Sequence, residues 1–218
     1  MADAISKSKG IAILPIVQAL RASSDDVQRA LPIELHHYLT DAITPSGWYR
    51  DDDWLTLLRA LASGVAIDNA PQGAYVMFGR MAALRDLADD QTAVPEAART
   101  DTGGMYRQLT AGKLDPVGLM RRMAKIWSLY HDSGHIELAR DPQRSNVIVY
   151  RLDNYALAQT AGREVFEINR GYAEEYGKLA GVPCKVLKIY ATLSPSDSWA
   201  MDVQFPETPA NLESIRAL

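Results

Sequence analysis

Residues 115–135 read DPVGLMRRMAKIWSLYHDSGH, and with VIVY at 147–150 and AQTAGREVFEINRGYAEEY at 158–176 they decide the fold. Leu119, Met123, Ile126 and Tyr130 recur every three to four residues, and Val117, Met120, Ala124 and Trp127 form a second stripe beside them. Arg121, Arg122, Lys125 and Ser128 fall between the stripes, so the spacing predicts a helix with one broad packing face. His131 to His135 then reverses the chain, and Val147 to Tyr150 has the β-branched and aromatic composition of a strand. A second long helix buries Ala158, Ala161, Val165, Ile168, Tyr172 and Tyr176. It exposes Arg163, Glu164, Glu167, Arg170, Glu174 and Glu175.

Downstream, Gly177 and Gly181-Val182-Pro183 terminate that helix, and Cys184 to Tyr190 reads as a strand. Trp199, Met201, Val203 and Phe205 alternate with Ala200, Asp202 and Gln204, the pattern of a half-buried strand. Turn chemistry at Ser194-Pro195-Ser196-Asp197 joins the two as an antiparallel hairpin.

The N-terminal half reads as helices. Ile13, Ile16, Val17 and Leu20 have helical spacing, with Pro15 acceptable only near a first turn. Ser23 to Asp26 caps a short helix ending near Leu31. Pro32 opens a third that runs through Leu35, Leu39 and Ile43 to the breaker Thr44-Pro45-Ser46-Gly47. Trp48 and Tyr49 read as packing anchors. Asp51-Asp52-Asp53 precedes Trp54, Leu57, Leu58 and Leu61, and acidic groups at a helix start satisfy free amides and the positive dipole end. Capping is preferred to a cation site, because the alternating ligands, glycine and distal glutamate of a calcium loop are missing. Tyr75, Phe78 and Ala82 belong to a further helix, and residues 91–104 read as a loop. Helices beside an antiparallel sheet make the class α+β. One domain spans residues 10–206, with flexible ends at 1–9 and 207–218.

Composition narrows function by exclusion. With 218 residues and a net charge of -4, the chain has no electrostatic bias toward nucleic acid or an anionic membrane. Its apolar runs are far shorter than a membrane span, and its start lacks a signal-peptide core, so a cytoplasmic protein is expected. One cysteine, Cys184, excludes an internal disulfide and a cysteine-rich metal site. His131 and His135 have four-residue spacing, but Gly134 intervenes and the shared helical face is lost. His131-Asp132 reads as a polar helix end, not an acid–base pair, since no nucleophile accompanies it. Dinucleotide, P-loop and nucleophile-elbow motifs do not occur. No enzyme, metal or cofactor is expected.

Pro45-Ser46-Gly47-Trp48-Tyr49, the Trp127 to Gly134 helix end and Gly171-Tyr172 before a paired-strand finish resemble an uncharacterised family abundant in myxobacteria. That family is similar to a superfamily of 4-vinyl-reductase-type domains, haem–nitric-oxide-binding domains and transport-particle (TRAPP-like) subunits. The resemblance implies helices on a twisted antiparallel sheet enclosing an apolar cavity that relatives use for aromatic or lipid ligands, for haem, or not at all. It also implies dimerisation. The Tyr-x-Ser-x-Arg signature of the haem-binding relatives is absent, and so are the zinc-binding cysteines of the aromatic-sensing ones.

Two readings follow. In the first, the chain is a non-catalytic sensor whose pocket lies between the long helices and the sheet, lined by Met120, Met123, Trp127, Tyr130, Phe166, Tyr172 and Trp199. Spacing establishes burial of these side chains, for which a filled core is the plainer explanation. In the second, it is a dimeric scaffold for protein partners, without a ligand.

Overall fold

The computed structural model describes residues 6–65, 71–87, 114–192 and 198–218. Element order is β1 (Lys7–Lys9), α1 (Gly10–Arg21), α2 (Asp25–Arg29), a 3-10 turn (Ile33–Leu35), α3 (His37–Thr40), β2 (Trp48–Arg50), α4 (Asp51–Val65) and α5 (Pro71–Leu87). It continues with α6 (Pro116–Tyr130), β3 (His135–Arg140), β4 (Val147–Asp153), α7 (Ala158–Leu179), β5 (Lys185–Ala191), β6 (Trp199–Gln204) and α8 (Pro209–Arg216). Four antiparallel strands form the main sheet in the order β3-β4-β6-β5. Helix α7 packs on β5 and β6, and its opposite side meets α5. The class is α+β.

The deciding stretch folds for identifiable reasons. Asp115 caps α6 by accepting from the Gly118 amide at 2.6 Å, and Pro116 occupies a first-turn position that needs no donor. The reversal at its other end needs Gly134, which has φ of 84° and lies under Trp127 and Leu152. The Trp127 indole donates to the Ser133 carbonyl at 3.1 Å and closes the corner. Gly181 ends the α7 region in the left-handed conformation, with the Val182 amide returning to the Gly177 carbonyl at 2.8 Å.

Several expectations need correction. Pro15 lies well inside α1, not at its first turn. The third helix is broken into the 3-10 turn and α3, and Ile43 lies beyond both. Residues 7–9 and 48–50 pair as a two-stranded ribbon that local patterning does not reveal. Trp48 is 46% exposed, with the Lys9 ammonium over its ring, so it is not a core anchor. Glu167 and Glu174 are buried instead of exposed, held by arginines on both α5 and α7. Strand β6 is central and covered on both faces: Ala200 and Asp202 are buried, and Asp202 accepts from Arg144 and from the Tyr190 hydroxyl. Residues 209–216, expected as part of a flexible end, form α8 against α6, capped by Thr208. The loop at 91–104 and the turn at 194–197 lie outside the described residues.

Candidate functional site: a cavity among five helices

Five helices each turn one i, i+3, i+4, i+7 stripe toward a common space. Helix α1 contributes Ala12, Pro15, Ile16 and Ala19, α4 contributes Trp54, Leu58 and Leu61, and α5 contributes Phe78, Met81, Ala82 and Arg85. Met123, Ile126, Trp127 and Tyr130 come from α6, with His131 just beyond it, and Val165, Ile168, Asn169 and Tyr172 come from α7. The cavity volume is about 170 Å³. Among the described residues no strand residue lines it, so the cavity lies between helices and not, as expected, between helices and sheet.

Two of the walls, α5 and α7, approach each other closely. Gly79 of α5 and Gly171 of α7 sit at their crossing. A Cβ on Gly79 would lie 1.9 Å from the Ile168 carbonyl oxygen, and one on Gly171 would lie 2.0 Å from that of Val76. Backbone therefore touches backbone, and Phe78, Met81 and Ala82 of α5 and Ile168 and Tyr172 of α7 line the cavity beside the crossing.

Two polar clusters border this apolar space. In the first, Arg85 donates from Nε to Asp86 at 2.6 Å, and Tyr130 donates its hydroxyl to the other carboxylate oxygen at 2.5 Å. The guanidinium also reaches the Ile11 carbonyl and the Tyr130 hydroxyl, both at 3.4 Å. Burial raises the Tyr130 phenol well above its ordinary value, and the Asp86 charge adds to this, so Tyr130 stays a neutral donor. In the second, Ser8 donates to Asp51 and meets His131 Nδ1 at 2.9 Å. Burial alone would raise the Asp51 carboxyl, but His131 and Ser8 hold it below its ordinary value. A carboxylate only accepts, so the single Ser8 proton points at Asp51 and His131 Nδ1 carries the hydrogen toward Ser8. The cluster is not a nucleophile triad: Ser8 and Asp51 share one ring nitrogen, whereas a triad needs them on opposite nitrogens. Trp127 stacks on the imidazole at 3.9 Å between ring centroids, with Trp54 and Tyr155 edge-on to it.

No protein-family profile matches the chain, and no curated protein sequence does. Solved structures do. An unliganded Fe(II) H-NOX protein from K. algicida superposes with a TM-score of 0.56 at 12% identity, over 92% of this chain and 98% of its own. An oxygen-binding H-NOX domain related to soluble guanylate cyclases gives 0.56 at 14% identity, over 91% and 95%. The fold is that of the H-NOX domains. At such identities the likeness is one of fold alone. The H-NOX domains are one of the groups the sequence resembles, and the likeness to them is in the fold.

Within this H-NOX-like fold, Met123, Trp127, Tyr130 and Tyr172 of the expected pocket face the cavity together. Met120, Phe166 and Trp199 do not line it. Met120 and Phe166 are fully buried, with Phe166 between the Tyr150 and Trp199 rings, and Trp199 covers α7 at Gly162. Phe166 and Trp199 belong to the packed layer between α7 and the sheet, and Met120 to the filled core. Sequence reasoning missed Trp54, Phe78, Met81, Arg85 and Asn169. A usable signal existed for Arg85, which falls in register with Phe78, Met81 and Ala82 on one helical face. His131 and His135 do not converge, since His135 is exposed at the start of β3, and no metal-binding group of three ligands occurs among the described residues. Burial pushes the Cys184 thiol up to about 12, with its sulfur 3.4 Å from the Ala173 carbonyl oxygen, which leaves it a poor nucleophile. Among the described residues no helix is long and apolar enough to cross a membrane.

Proposed function

We propose that the chain is a non-catalytic sensor module that binds a small apolar molecule in the five-helix cavity. One observation carries this reading: an apolar space of about 170 Å³ persists where helices would otherwise close on one another. An apolar cavity of roughly 150 Å³ in a protein interior stays dry and accepts benzene or xenon. A ligand of one ring therefore fits, and it would touch five helices from both halves of the chain at once.

Haem, whose distortion has been probed in the H-NOX family, is a poor fit. The space suits one six-membered ring, and a porphyrin has four five-membered rings joined in a macrocycle. His131 is the one imidazole among the described lining residues, and three aromatic side chains enclose it. Addition of haemin is expected to give no histidine-ligated absorption band. A band that disappears in His131→Ala would transfer the reading to haem.

The direct test is native mass spectrometry before and after denaturation, joined to thermal unfolding with ring-sized compounds. A ligand at a hundredfold excess over its Kd stabilises the native state by about 2.7 kcal/mol. For a chain of this length that raises Tm by roughly 5–10 °C. No adduct and no shift with any ring-sized compound would refute the sensor. An adduct-free dimer in the same spectra would favour the scaffold.

A further inference from the structure

We propose that Arg85 makes the cavity prefer an uncharged ring compound bearing one carbonyl oxygen over a plain hydrocarbon of the same shape, and exclude the corresponding carboxylate. The inference rests on the sensor reading above and names its ligand class.

The argument is an inventory of donors and acceptors at the polar end of the cavity. A guanidinium has five N–H donors and no acceptor. Three are used: Nε on Asp86, and one each on the Ile11 carbonyl and the Tyr130 hydroxyl, the last two at a long 3.4 Å. Two donors are left without an acceptor among the described residues, on a side chain only 4% exposed that forms part of the cavity wall. Asp86 accepts from Arg85 with one oxygen and from Tyr130 with the other, and it is not among the residues that line the cavity. The cavity wall at Arg85 therefore offers hydrogens, and a ligand oxygen placed against the guanidinium accepts one. Buried donors without acceptors are costly, which gives the preference its size.

Charge sets the second half of the selectivity. Asp86 already neutralises Arg85 at direct contact, so the cluster has no net charge to offer an anion. A carboxylate entering would leave water for an apolar chamber with no uncompensated cation facing it, and that desolvation is not recovered. The oxygen the site accepts is consequently a neutral one.

Three compounds of nearly one shape decide the matter at pH 8, above the range in which free imidazole is charged. Acetophenone carries the carbonyl, α-methylstyrene replaces its oxygen with a methylene, and benzoate replaces its methyl with a charged oxygen. Titration calorimetry on the intact chain is expected to give acetophenone a Kd about ten- to a hundredfold below that of α-methylstyrene, the range of one hydrogen bond from a charged donor. Benzoate should not bind measurably. Asp86→Asn keeps the shape but removes the neutralising charge, and should admit benzoate with at least about a tenfold gain. Equal affinities for acetophenone and α-methylstyrene, or benzoate binding to the parent chain, would overturn the selectivity while leaving the sensor intact. If no compound of the three binds, the selectivity is overturned, and the sensor reading is decided by the native mass spectra above.

Discussion

Gly171→Ala tests the close crossing of α5 and α7, two of the helices that wall the cavity. The added methyl would sit 2.0 Å from the Val76 carbonyl oxygen, where ordinary contact begins at 3.4 Å. The helices must part by about 1.4 Å at that point, because the obstacle is backbone and has no rotamer to adopt. Alanine favours the helix over glycine by about 0.5–1 kcal/mol, which opposes the clash. Overpacking of a rigid interface costs about 1–3 kcal/mol, and separating the two helices also forfeits dispersion contacts along their length. The expected net loss is roughly 2 kcal/mol, or about 4–8 °C in Tm for a chain of this size. Thermal unfolding followed by circular dichroism at the helical minimum measures it. Gly73→Ala is the internal control: it lies on exposed α5 surface with nothing within 4 Å of its Cβ, and should gain a few tenths of a kcal/mol. If Gly171→Ala proves as stable as the parent, α5 and α7 do not cross as closely in solution as this contact requires.

Three further outcomes follow from buried polar groups. The Asp51 carboxyl is held below its ordinary value, so its contribution is complete at neutral pH and is lost as pH falls below about 4 toward the folded value. Asp51→Asn should be less stable at neutral pH and show a flatter loss on acidification through that range in urea unfolding; parallel acid limbs would contradict this. Cys184, with its thiol pushed up to about 12, should resist a disulfide reagent in mild alkali in the native chain and react in full once unfolded. Asp202→Ala strands the Tyr190 hydroxyl and loosens Arg144, so Tm should fall by the equivalent of about 1–3 kcal/mol. An unchanged midpoint would mean that solvent replaces the carboxylate.

Which features were legible depends on how local their causes are. The α6 and α7 helices, the β5–β6 hairpin and the placing of Asp51 to Asp53 in the first turn of a helix follow from periodicity and end chemistry within a few residues. The β1–β2 ribbon does not, because Lys7 to Lys9 become a strand only by pairing with Trp48 to Arg50, far along the chain. Glu167, Glu174 and Asp202 carry surface chemistry and are buried only because arginines reach them, Arg80 and Arg144 from other elements, which no window of sequence displays. For the pocket, the stripe on α6 was legible and its partners were not. Met120 and Trp127 lie on the same stripe of α6, yet only Trp127 reaches the cavity. Which part of an apolar face meets a void and which meets a neighbour is a property of the packing.

Pro15 shows how a local irregularity acquires a distant role. Inside α1 it lacks the N–H that would bond the Ile11 carbonyl one turn earlier, so that oxygen needs a donor from elsewhere. Arg85 of α5 supplies one from across the fold, at 3.4 Å. A guanidinium needs reasons to sit in a hydrophobic wall, and the unpaired Ile11 oxygen, the Asp86 carboxylate and the Tyr130 hydroxyl together provide them. With alanine at position 15 the helix would satisfy Ile11 itself, and Arg85 would lose one of its three anchors. The imperfection in α1 therefore helps to hold the cavity's polar end where it is, and it leaves Arg85 with two donors that have no acceptor among the described residues.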